Sequence, residues 1–162
     1  IFAYLNQKFG EDLTGKGIVK LSDAKISSGK GLNDVITNSD KEYVNQGNGA
    51  TQKSDGWFEI DFGERKISLT SYLLKSTTCH TYSFPKSWKI TGSNDRIEWT
   101  VLDHRTNAAS LNGQMKQQRF ICEQNHNYYQ YIRFIQEDSW NSKYKYNIIL
   151  KQIELFGFIS FD

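Results

Sequence analysis

Residues with reactive side chains are few and scattered in this chain, which has three histidines (His80, His104, His126) and two cysteines (Cys79, Cys122). Cys79 and His80 are adjacent, the pair of types from which a thiolate nucleophile is made, but neighbours on a strand or loop usually point apart. Asp103 stands beside His104, His126 lies between two asparagines, and Glu59, Asp61 and Glu64 cluster without a nucleophile. No nucleophile with an ordered base emerges, so the sequence reads as non-enzymatic. The Cys and His spacings match no zinc site, and Gly47-Asn48-Gly49 is not followed by the lysine-bearing helix of a phosphate-cradling loop. Asp34, Asn38 and Asp40, four and two apart, offer hard oxygen ligands suited to calcium, the one cofactor the sequence leaves open. Capping and turn duty explain the same side chains equally well.

Positioning any site needs a core, and 162 residues supply one without a metal or disulfide staple. An aromatic content of 14% with a single proline favours packed strands over a linker. The net charge of +2, with lysines and arginines dispersed, lacks the basic field that nucleic acid requires. No apolar run reaches the length of a membrane span, and nothing reads as a signal peptide. Cys79 and Cys122 are two buried thiols or one bridge; the sequence leaves both open. No asparagine opens a glycosylation acceptor, which leans toward an intracellular location. The chain begins with Ile1 and not Met, as a piece of a longer polypeptide would.

Hydrophobic spacing gives the elements. Phe2, Leu5 and Phe9 predict one short amphipathic helix ending near Gly10, within a lead-in over residues 1–16. Residues 17–21 read as a strand, Leu32 to Ile36 as a helical turn, and Asn38 to Gly56 as a long polar surface loop. Phe58, Ile60 and Phe62 alternate with Glu59 and Asp61, sending the carboxylates outward. Further strands are expected over 67–75, 87–91, 98–102, 119–122, 131–136 and 148–158. In the fifth of these, Ile132, Phe134 and Gln136 share one face and Tyr131, Arg133 and Ile135 the other, which implies a strand deep in the fold. Short strands with turns between them and no second helix predict an all-β antiparallel sandwich, one domain over residues 1–162.

Four segments carry a family resemblance. Residues 85–95 with Trp99, residues 57–63 ending Asp61-Phe62-Gly63, the Tyr131-Ile-Arg-Phe134 strand, and residues 150–157 ending Ile-Glu-Leu-Phe-Gly stand in order along the chain. Together they resemble the discoidin domains, also called coagulation-factor type C domains, of the galactose-binding-like superfamily. The resemblance implies a jelly-roll β-sandwich of about eight strands, with its termini close together and ligands bound by loops at the opposite end. Ser93-Asn94-Asp95 turns the chain because Asn and Asp bond their own backbone; Trp88 and Trp99 flank it, each large enough to tie two sheets together. Arg133 needs an acidic partner or a wet edge, and the family pattern suggests Glu154.

The implied function is non-catalytic binding of a glycan or similar polar ligand. A sugar site needs an apolar plane for the ring and polar tips for hydroxyls. The loops at the implied open end offer Tyr43, His80, Tyr82, Arg105, Asn107, Trp140, Asn141 and Tyr144, with His80, Arg105 and Asn141 favoured as polar contacts. Loop-anchoring duty accounts equally for Tyr82 and Trp140. The alternative is an intracellular protein–protein interaction module at the C-terminus of a larger BTB-type scaffold protein. Membrane binding is disfavoured, since the segment that would carry apolar spikes, Asn38 to Gly56, offers only Tyr43 and Val44.

Overall fold

A computed structural model describes residues 1–24, 28–46, 56–78, 83–123 and 127–161. Cys79, His80, Tyr82 and His126 lie outside them. The helix α1 spans Phe2–Phe9 and ends at Gly10, whose φ of 81° takes the chain out of the helix. The strands are β1 (Lys20–Asp23), β2 (Ser28–Lys30), β3 (Tyr43–Gln46), β4 (Gly56–Asp61), β5 (Lys66–Lys75), β6 (Pro85–Ser93), β7 (Thr100–Arg105), β8 (Gln117–Ile121), β9 (Tyr131–Ser139), β10 (Ile148–Leu150) and β11 (Gln152–Ser160). They form a five-stranded sheet ordered β1-β4-β9-β6-β7, a facing sheet ordered β11-β5-β8, and a small sheet ordered β10-β3-β2. All recorded pairings are antiparallel. The two facing layers therefore hold the eight strands expected, and the small sheet is an addition.

Alternation builds the core. Phe58 and Ile60 of β4 and Ile132 and Phe134 of β9 point inward from the large sheet. They meet Tyr72 and Leu74 of β5, Phe120 of β8 and Ile153 and Leu155 of β11. Trp88 of β6 is fully buried and spans the layers: its ring lies edge-on to Phe120 at 5.1 Å, and its Nε1 donates to the Tyr72 hydroxyl at 2.8 Å. β9 is the central strand of its sheet, as its apolar face implied. β11 keeps its register with β5 except for a bulge at Gly157, where φ is 150° and a Cβ would lie 2.0 Å from the Ser68 carbonyl oxygen. The closing glycine of the Ile-Glu-Leu-Phe-Gly segment is thus a backbone requirement.

Several expectations are corrected. The first strand begins at Lys20, because Leu13 to Gly17 turn and the N–H groups of Ile18 and Val19 both donate to the Leu13 carbonyl. The polar stretch from Asn38 contains β3, and Tyr43 is fully buried within it; its ring meets Phe58 edge-on at 5.4 Å and its hydroxyl donates to Asp23 at 3.0 Å. Tyr43 is a core residue and cannot stack on a ligand. Trp99 does not tie the sheets together: it is half-buried and lies over Arg133 on the outer face. Glu59 faces outward as alternation requires, yet only 1% of it is exposed. Arg133 donates to it at 2.9 Å and Arg96 at 2.8 Å, so the acid partner of Arg133 is Glu59 and not Glu154. Glu154 instead accepts the N–H of Phe2 at 3.0 Å.

Candidate ligand-binding site

Strand direction defines two ends. β11 runs from Gln152, beside Lys75, to Ser160, beside Lys66, about 30 Å at the usual rise. Its far end meets α1, where the Lys8 ammonium lies 4.1 Å from the Phe161 ring. At the near end, β5 leaves and β8 and β11 begin, and the chain opens a cleft of about 650 Å³. One side is Asp34 with Asp40, Lys41 and Glu42; the other is Thr77, Thr78, Met115 and Lys151.

Local hydrogen bonds fix these walls. The Ser76 hydroxyl donates to the Gly113 carbonyl at 2.6 Å and accepts the Lys116 N–H at 2.9 Å, while the Ser76 N–H donates to the Lys116 carbonyl at 2.8 Å. This bolts the turn before β8 to the end of β5. Thr77 bonds Glu42 side chain to side chain, joining the two sides. Asp34, Asp40, Lys41 and Lys151 take part in no ion pair among the described residues. The cleft therefore carries charges of both signs that remain available to a polar ligand.

The calcium candidates divide. Asp34 and Asp40 line this cleft, while Asn38 lines an adjoining one of about 580 Å³ together with Asp34. Among the described residues no group of three His, Cys, Asp or Glu side chains is placed to hold a metal ion.

The residues favoured from sequence are distributed differently. Arg105 donates to Asp103 at 2.9 Å and to the Ile121 carbonyl at 2.7 Å, so its guanidinium is committed within the fold. Asp103 also accepts the Tyr72 hydroxyl at 2.5 Å, which completes a chain Trp88–Tyr72–Asp103–Arg105 across the sandwich. Burial, with the bond to Asp103, pushes the Tyr72 phenol well above its usual range. Asn107 adopts φ 51° in an exposed turn, and its N–H donates to the Ser87 hydroxyl at 3.2 Å. Trp140 is half-buried against Phe84 and Ile149, has Lys86 at 4.9 Å from its ring, and donates to the Ala108 carbonyl at 3.4 Å. Asn141 accepts the Lys143 N–H at 3.1 Å, capping the short turn that contains Tyr144. Trp140 thus joins the Asn107-Ala108 turn to the Asn141 turn that carries Tyr144, forming a shelf, whereas Arg105 and Tyr43 are committed to partners within the fold.

The adjacent pair Asp103 and His104 is split by the pleat. Asp103 points inward to Tyr72, while His104 points outward and meets Glu137 at 2.6 Å. Cys122 is a buried free thiol pushed up to about 12, first by burial and then by the charge of Asp103.

Sequence reasoning missed Gly31, Lys41, Glu42, Thr77, Thr78, Met115 and Lys151 as cleft residues. One signal was present: Met115 is the chain's only methionine, and it stands in a polar stretch where a packing role is not expected. The profile of the Sad1/UNC-like C-terminal family matches residues 27–158. The chain belongs to this family. Among curated proteins no sequence match was found.

Solved structures agree on the fold. The family domain is similar to the family 32 CBM of Clostridium perfringens NanJ in complex with galactose, at 8% identity over 90% of this chain and 96% of that one, with a TM-score of 0.66. It is similar to CpGH89CBM32-6 of Clostridium perfringens, at 17% identity over 91% and 100%, with a TM-score of 0.61. It is also similar to chitosan-binding module 1 of a chitosanase/glucanase from Paenibacillus sp. IK-5, at 15% identity over 86% and 96%, with a TM-score of 0.60. These neighbours are carbohydrate-binding modules, and at such identities they establish the shared galactose-binding-like sandwich. The resemblance to discoidin domains is borne out as that fold.

Proposed function

We propose that this domain is a non-catalytic module that binds a glycan in the cleft between Asp34 and Lys151. The observation that carries the reading is a rigidly walled cleft of about 650 Å³ whose carboxylates and ammonium groups are not spent on ion pairs. Hydroxyl groups of a sugar both donate and accept, so Asp34, Asp40, Lys41 and Lys151 suit its edges. Modules of the same fold form complexes with galactose and with GalNAc-β-1,3-galactose, which supports the ligand class. Affinity is modest, because an open and hydrated site gives back much of its contact energy in desolvation and ordering. A glycan array followed by calorimetry tests the reading: wild-type protein binds at least one saccharide, and Asp34→Ala with Lys151→Ala loses it. An array blank at millimolar sugar overturns the reading.

A second reading rests on a different surface. Val101 on β7 and Ile121 on β8 are 52% and 76% exposed on edge strands of their sheets. Such edges suit a protein partner that adds a strand. Under that reading Val101→Lys and Ile121→Lys abolish partner capture and leave sugar binding untouched.

A further inference from the structure

Three properties meet at Met115 that no other residue of the cleft combines. Its backbone is left-handed, with φ 53°, a conformation that costs any side-chain-bearing residue and survives only where the surroundings impose it. The imposing contacts are those that bolt the turn to β5, with the Met115 N–H directed at the Thr77 carbonyl at 3.4 Å. Its side chain is 44% exposed, although Leu111, four residues earlier, is wholly buried. Among the described residues that line the cleft, it has the one wholly apolar side chain.

A pyranose presents a C–H face as well as hydroxyl edges, and a polar cleft binds only the edges. We infer that Met115 is the apolar platform of this site, laying its thioether and methyl group against the C–H face of a bound sugar while Asp34, Asp40 and Lys151 take hydroxyls. A thioether is polarisable and adapts to a ring surface without a fixed plane. The strained turn then has a purpose: it holds the side chain over the cleft and away from the core. The inference rests on the glycan reading and adds the residue that would set preference for sugars with an uninterrupted C–H face.

The single methionine gives a direct probe. In protein labelled with ¹³C at the methionine methyl, one signal reports Met115 alone. On titration with galactose, N-acetylgalactosamine or a chitosan oligosaccharide, that signal moves and saturates at the dissociation constant measured by calorimetry. Met115→Gln, of similar length but polar, weakens binding about fourfold, the loss expected for roughly one buried methylene group. Met115→Gly weakens it at least as much while keeping or raising the melting temperature, since glycine adopts φ 53° freely. If a sugar binds yet the methyl signal stays fixed and Met115→Gln binds as wild type, the platform is wrong and the glycan reading stands. If no saccharide produces heat or moves the signal, the reading fails and takes the platform with it.

Discussion

The outer face of the five-stranded sheet and the cleft beside Lys151 use the same residue types in opposite ways. On the sheet face, Glu59 is enclosed beneath two arginines, and the Arg133 guanidinium is held between the Trp57 and Trp99 rings at 3.9 and 4.2 Å. Arg96 lies 4.0 Å from the Tyr131 ring and also reaches Asp61 at 3.4 Å. Charge there is paired and covered, so it contributes to stability and has little left to offer a guest. In the cleft, carboxylates and ammonium groups share a wall without forming ion pairs, and the turns that carry them are fixed by backbone bonds. The difference separates the tasks: the sheet face holds the fold together, and the cleft spends its polarity on recognition.

The largest test strikes the sheet face. Glu59→Ala removes the nearly enclosed carboxylate that both arginines share, leaving Arg133 without its acceptor and Arg96 with Asp61 alone, and stability should fall by about 3 kcal/mol in urea titration. Arg133 would also lose the bond that aims it between the indoles, so the quenching of Trp57 and Trp99 fluorescence should change together with stability. Sugar binding per folded molecule should not change. A loss of less than about 0.5 kcal/mol would show that the covered network is ornamental and would remove half of the contrast.

The second test concerns the buried tyrosines. Burial, then the nearby Asp23 charge, holds the Tyr43 phenol well above its usual range, as burial and Asp103 do for Tyr72. A folded-state value raised above the unfolded one gives stability that is fully present below about pH 10, where phenols in the unfolded chain ionise. Above that pH the folded state holds more protons than the unfolded state, so stability falls with rising pH, by up to about 1.4 kcal/mol per unit for each tyrosine. Urea titrations at pH 8, 10 and 11 should show this fall, and Tyr72→Phe should reduce its slope. At pH 8 the same substitution costs about 1–3 kcal/mol, because Trp88 Nε1 and Asp103 lose their shared partner in the core.

What the sequence made legible follows the reach of each signal. Alternation over Phe58 to Phe62 and over Ile132 to Gln136 located two paired strands of the large sheet, and the second of them is its centre, since period two is a local property. Glu59 was placed on the right face and misjudged in burial. What covers it comes from Arg133 and Arg96, 74 and 37 residues away in sequence, and no local pattern reports that. Tyr43 was hidden because β3 has only four residues and polar neighbours on both sides. Arg105 carried a readable clue, as Asp103 and Arg105 stand two apart on one strand and so share a face. The cleft was the least legible feature: its walls come from four separated stretches, and what unites them is the hydrogen bonding of Ser76 and Thr77.

The third test returns to the shelf. Asn107 at φ 51° is explained by its turn, because asparagine tolerates the left-handed region and glycine does so at no cost. Asn107→Gly should therefore change stability by only a few tenths of a kcal/mol, whereas Asn107→Val should destabilise by about 1–2 kcal/mol. If Asn107→Gly instead removes sugar binding, the ligand sits on the Trp140 shelf and not in the cleft.

The smallest stability effect is the most informative for function. Asp34 and Lys151 are partly exposed and outside the recorded ion pairs, so Asp34→Ala and Lys151→Ala should each stay within about 0.5 kcal/mol of wild type. Their melting curves should also be indifferent to EDTA, since neither is expected to depend on a metal for its fold. Binding of the best array sugar should nonetheless weaken by about tenfold for each, the loss of roughly one charged hydrogen bond. This inverts the Glu59→Ala result, in which stability is lost and binding kept. Were Asp34→Ala to lower the melting temperature by many degrees, the carboxylate would belong to the fold after all, and the division between a covered face that stabilises and an open cleft that recognises would not hold.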